Sequence, residues 1–194
     1  MRTSGINLAA TGSIQKSYSE WQVRKKRCIF ISHISIDKTT AIEIGEYIKR
    51  SGFDIYLDIY DRGLQNAVAN NNHEAIVKSI ERGIAYSTDI LCLVSNQTKN
   101  SWWVPYEIGF AKSQSNNERS TQSTISTLFL KEVEYIPSYL MVTNVLEGIK
   151  SLNEYLRELS KREAVLQKSM QKVPNVVEYH SAVHPLQKYL KQYR

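Results

Sequence analysis

Four short apolar runs recur along this chain, separated by stretches long enough for a helix, and each run breaks off at a polar or turn-forming segment. They are Cys28–Ile31, stopping at Ser32-His33; Phe53–Leu57, stopping at Asp58; Asp89–Val94, stopping at Ser95; and Ile125–Leu130. A strand that is apolar at successive positions, with no alternation, is buried on both faces, as in a parallel sheet covered by helices. The intervening segments carry helix signals. Ser35 or Asp37 can cap a helix to Arg50 that presents Ala41, Ile44, Gly45 and Ile48 on one face, with Ser51-Gly52 to end it. The Asn70–Asn72 triplet can cap a second helix, His73 to Gly83, whose buried face is Ile76, Ile80 and Ile84. A third runs from Val104 to about Lys112, and a fourth from about Val145 to Leu166. A short fifth strand is expected around Leu140–Thr143, and residues 59–72 read as a long loop. This alternation predicts an α/β fold, a parallel sheet with helices on both faces. Right-handed crossovers then leave few topologies.

A chain of 194 residues suffices for one domain with extensions. We expect a polar N-terminal arm over 1–23, loosely ordered and docked through Trp21, a domain over 24–160, and a helical C-terminal extension over 161–194. In that extension Pro174 breaks the helix and Pro185–Tyr189 starts another. The formal net charge of +6 permits an anionic partner but is accounted for by solvated Lys and Arg, so nucleic acid is not expected. The densest basic run, Arg24–Arg27, reads as a solvated strand entrance. No apolar segment approaches the ~20 residues of a membrane helix, and none has signal-peptide character. Cys28 and Cys92 each lie inside an apolar run and read as small buried hydrophobes. A cytoplasmic protein without membrane contact is the expectation.

The stretch from Ser95 to Glu107 holds the most chemistry. Past the third run a polar turn leads to Ser101-Trp102-Trp103-Val104-Pro105-Tyr106-Glu107. Trp103 and Glu107 are four apart and so share a helix face. A carboxylate beside an indole, just beyond a strand's C-terminal end, sits where open α/β sheets place their ligands. The competing reading is a solvated helix carboxylate favoured by the N-terminal dipole.

Taken in order, these segments resemble the TIR (Toll/interleukin-1 receptor) family, in its stand-alone bacterial form found in Thoeris-like antiphage systems. Phe30-Ile31-Ser32-His33 is similar to the family's first-strand box, with His33 where an aromatic Tyr is usual. Gly52–Asp58 is similar to its second strand with the terminal Asp, and Ser101–Glu107 to its S-x-W-x-x-x-E segment. The likeness extends from about Arg27 to Leu159. It implies a flavodoxin-like TIR fold, a five-stranded parallel sheet in the order 2-1-3-4-5, with the switch point between strands one and three.

The resemblance also implies an activity. TIR domains either assemble by contact alone or cleave the nicotinamide–ribose bond of NAD with the Glu of the W-x-x-x-E segment, here Glu107. Breaking that bond builds oxocarbenium character on the ribose, and a carboxylate accepting hydrogen bonds from ribose hydroxyls stabilises it. Nicotinamide leaves neutral, so one carboxylate suffices. Attack by water gives ADP-ribose, and attack by the adenosine half gives a cyclic ADP-ribose signal. Glu107, partly exposed, is the expected catalytic residue, with Ser32, His33, Asp58, Ser95, Trp102 and Trp103 as substrate-binding candidates. Ser32, His33, Ser95 and Glu107 are expected to converge under the loop after Asp58, Trp103 to pack beneath its helix and Trp102 to be the freer aromatic. NAD enters as substrate and no cofactor is implied. TIR–TIR self-association and a separate effector responding to the product are the implied partners. The alternative is a non-catalytic assembly module. His73, His180 and His184 are too scattered for a metal site, and neither a phosphate-binding Gly-rich loop nor G-x-S-x-G is present. A phosphoacceptor would need acidic residues where this chain has Ser32 and Ser95.

Overall fold

A computed structural model describes residues 4–11, 26–115, 124–166 and 183–192. Its centre is a five-stranded sheet in the order β2-β1-β3-β4-β5, every pair parallel. The strands are β1 (Cys28–Ser32), β2 (Asp54–Tyr56), β3 (Asp89–Val94), β4 (Thr124–Phe129) and β5 (Asn144–Glu147). The helices are α1 (Lys38–Arg50), α2 (Arg62–Ala69), α3 (His73–Ala85), α4 (Trp103–Ser115) and α5 (Gly148–Leu166). The flavodoxin-like order expected from the sequence is the one observed.

The continuous apolar runs are explained by where alternate residues go. Ile29, Ile31, Ile55, Leu91, Leu93, Leu128 and Leu146 point to one face, where α1 and α5 meet them through residues such as Ile44, Ile48, Leu152 and Leu156. Cys28, Phe30, Tyr56 and Ile90 point to the other, under Ile80 and Ile84 of α3 and Ala111 of α4. Farther along that face Cys92, Val94 and Phe129 receive Val104 and Ile108 of α4. At the end of α1, Gly52 takes a φ of +91°, a turn that a side chain would strain.

Several elements depart from the sequence reading. The expected loop over 59–72 contains α2, because the Asp61 carboxylate caps it, accepting from the N–H groups of Gly63 and Leu64, and Leu64 and Ala67 bury one face. The fifth strand lies at Asn144–Glu147 and not at Leu140–Thr143. Pro137 opens a tight turn there, Leu140 alone is buried, and Met141 and Val142 face solvent. Asp37 makes no capping bond to α1, its carboxylate being taken up by Ser95.

The ends also differ. Trp21 lies outside the described residues, but residues 4–11 are docked: Ile55 N–H donates to the Ile6 carbonyl at 2.9 Å and Ile6 N–H to Asp54 at 2.9 Å. This short run covers the free edge of β2. The basic run is not simply solvated, since Lys26 pairs with Asp54 at 2.7 Å and Arg27 is buried against Asp89. α5 continues unbroken to Leu166, across the division expected at 160. Residues 185–190 are turns rather than helix, because the Tyr189 and Lys191 carbonyls are diverted to the N–H groups of Lys131 and Ile149. Leu186 and Leu190 anchor this segment in the core. Among the described residues no helix is long and apolar enough to cross a membrane.

Candidate active site

The chain leaves β1 for β2 on one side and leaves β3 for β4 on the other, so neighbouring loops diverge at the C-terminal ends of β1 and β3. A cleft of about 750 Å³ opens there. Its walls come from the exits of β1 and β2, from α2 and α3, and from the turn and first helical turns after β3.

Glu107 forms part of the wall, and its position follows from how α4 begins. Ser101 Oγ accepts from the Val104 N–H at 3.2 Å, which starts the helix at Trp103. Val104 and Ile108 anchor the helix on the sheet, and Glu107, three residues past Val104, falls on the same inward sector. The pairing of Ser32 with Cys92 sets Ser32 at the last rung between β1 and β3. Its hydroxyl donates to Glu107 Oε2 at 2.5 Å. Glu107 is only 4 % exposed, which corrects the expectation of a partly exposed side chain. Burial pushes its carboxyl up to about 8, against the Ser32 hydrogen bond, with a further push from the charge of Asp58.

His33 and Asp58 stand together on the neighbouring wall. His33 Nδ1 lies 3.4 Å from the Ile31 carbonyl oxygen and 3.7 Å from Asp58 Oδ1. That Oδ1 is buried and has no hydrogen-bond partner among the described residues. Burial raises the Asp58 carboxyl above the usual carboxylate range, with the facing His33 as the strongest opposing influence. Three acid–base groups therefore share one cleft.

The remaining candidates divide. Trp102 is 92 % exposed at the rim, and Trp103, 42 % exposed, also lines the cleft, where packing beneath the helix was expected. Trp103 leans edge-on against Tyr106, whose hydroxyl donates to Glu81, so the indole rests on the outer flank of α4. Ser95 is not a wall residue. Its hydroxyl donates to Asp37 at 2.7 Å and accepts from Gln97 N–H, which fixes the turn after β3. Sequence reasoning missed Lys38, Leu64, Gln65, Val68 and Asn100, all wall residues. The cap at Asp61 followed by apolar residues at helical spacing was the available signal for those on α2.

Residues 30–120 match the family model described as Thoeris protein ThsB, TIR-like domain. The match covers just under half of the chain, agrees with the strand order observed, and contains every candidate residue above. Over that segment the chain is similar to TIR proteins of the Thoeris type. The probable 3′ cyclic ADP-D-ribose synthase ThsB′ of Bacillus cereus (strain MSX-D12) is 26% identical over 105 residues, 54% of this chain and 53% of that protein. The match thus spans about half the length of that relative.

Proposed function

We propose that this domain cleaves the nicotinamide–ribose bond of NAD and releases ADP-ribose or a cyclic ADP-ribose signal, in a Thoeris-type antiphage role. The observation that carries this reading is a nearly inaccessible carboxylate, Glu107, held by one hydroxyl in a cleft at the switch point of the sheet. A buried carboxylate with so little compensation costs stability, and such groups concentrate at sites of chemistry. The name of the Bacillus cereus relative supports the same class of reaction.

Each part of the cleft has work in this scheme. In the free domain Glu107 holds its proton to about pH 8. The cationic nicotinamide ring favours the ionised form, so NAD binding drives the proton off. The carboxylate then accepts hydrogen bonds from the ribose hydroxyls and stabilises the positive charge that grows as the C1′–N bond breaks. Lys38, the one lysine or arginine among the described wall residues, faces the pyrophosphate. Trp102 and Trp103 offer flat apolar surfaces to the bases. NAD is substrate, and no cofactor is needed. Self-association through TIR–TIR contacts and a separate effector that reads the product belong to the same proposal.

The test is incubation of concentrated protein with NAD, following free nicotinamide and the mass of the ribosyl product. Nicotinamide release is expected, with a product either equal in mass to ADP-ribose or lighter by one water. Absence of release from concentrated, folded protein, with and without lysate of infected cells, would leave contact-only assembly as the function.

A further inference from the structure

The carboxylate of Glu107 accounts for bond breaking but leaves the second half of a cyclisation without a base. If an adenosine-ribose hydroxyl closes the ring, its oxygen bonds to C1′ and its proton must go elsewhere. A ring nitrogen of adenine, carrying a lone pair and no proton, would need no such acceptor. Among the described wall residues, the groups that can take a proton are Glu107, Asp58 and His33. Glu107 is committed to Ser32 and to the ribose charge.

His33 is set up differently. Its Nδ1 faces two acceptors, the Ile31 carbonyl and Asp58 Oδ1, so the hydrogen belongs on Nδ1 and Nε2 keeps its lone pair. The side chain is only 6 % exposed, so the ring has little freedom to turn. Asp58 Oδ1, buried and without a hydrogen bond among the described residues, faces a ring that becomes cationic on taking a proton. A carboxylate behind an imidazole fixes its tautomer and stabilises the imidazolium, the relation that holds in histidine–aspartate pairs of other enzymes.

We propose that His33, positioned by Asp58, is the base that orients an adenosine-ribose hydroxyl and takes its proton as the ring closes. This rests on the NAD-cleaving reading. The C1′–N bond breaks with its electron pair going to the ring nitrogen of departing nicotinamide. The C1′–O bond forms from the hydroxyl oxygen, whose proton passes to His33 Nε2 and then to solvent. NAD yields nicotinamide, an O-linked cyclic ADP-ribose and one proton. Without the base, water captures C1′ and the product is linear.

The experiment measures nicotinamide, cyclic product and ADP-ribose together for the parent protein, His33→Gln and Asp58→Asn, with a thermal melt to establish folding. For His33→Gln the cyclic-to-linear ratio is expected to fall about tenfold or more, a larger change than in nicotinamide release. Asp58→Asn keeps an acceptor for Nδ1–H but loses the charge, so its ratio falls less, about threefold or more. If His33→Gln does not fold, the Asp58→Asn ratio decides. An unchanged ratio in a folded variant, or a parent product that is wholly linear, overturns the proposal while the NAD reading stands. No nicotinamide from the parent overturns that reading and this proposal with it.

Discussion

The two ends of the sheet bury charge in opposite ways. At the N-terminal end Arg27 grips Asp89 with two hydrogen bonds, from Nε at 2.8 Å and Nη2 at 2.7 Å. Asp89 also accepts from the hydroxyls of Thr88 and Thr124, and the Arg27 N–H donates to Glu163. Both oxygens of Asp89 have donors. At the C-terminal end, among the described residues, Glu107 has Ser32 alone and Asp58 Oδ1 has no hydrogen bond. The first arrangement ties β1 to β3 and β4 and asks nothing of a ligand. The second is stable only because the rest of the domain holds it, and under the proposed function it is completed by the cationic, hydroxyl-rich substrate. Where a fold could satisfy its charges and does not, the unsatisfied ones mark the site of work.

Breaking each end separately sharpens the contrast. The largest effect is expected for Glu107→Gln, with nicotinamide release reduced about 1,000-fold or more while the melting transition stays cooperative. Asp89→Asn acts at the other end. It takes the charged partner of two hydrogen bonds from a buried guanidinium, and urea denaturation should show a loss of about 3–5 kcal/mol, with little change in turnover per folded molecule. Stability should move the other way in Glu107→Gln. The folded-state carboxyl sits near 8, above its ordinary value of 4.5, so its favourable contribution is complete below pH 4.5 and is lost as pH rises through 8. At pH 9 the Gln variant is therefore expected to exceed the parent by about 2–4 kcal/mol in urea denaturation, and the gap should vanish near pH 4. Equal stability at both pH values would mean that Glu107 is not held against its charge. The smallest effect is expected at the rim: Trp102→Ala should leave stability within about 0.5 kcal/mol and raise the KM for NAD severalfold.

How much of this was legible in the sequence follows the same division. Runs such as Cys28–Ile31 and Ile90–Val94 announce a doubly covered parallel sheet, because both of their faces are buried and nothing in them needs to be polar. The edge is harder to read. β5 is the half-exposed run Asn144–Glu147, while Leu140–Thr143 has the composition of a strand but turns with Met141 and Val142 in solvent. α2 is eight residues long, so beyond the cap at Asp61 its helical period rests on Leu64, Ala67 and Val68 alone. At the site, the spacing of Trp103 and Glu107 singled out a carboxylate that the fold places in the cleft wall. It could not show that Glu107 is buried, because the covering group, Ser32, is 75 residues away. Ser95 was misplaced for the same reason, since its partner Asp37 reads locally as a helix cap.

The proposed role of Glu107 is tested most directly by the pH dependence of kcat/KM for nicotinamide release. This quantity reports ionisation in the free enzyme, where Glu107 must lose its proton to act. It should rise about tenfold per pH unit from pH 6 and level off near pH 8. A profile that is flat from pH 6 to 9 would contradict the claim that the buried carboxylate of Glu107 drives the reaction.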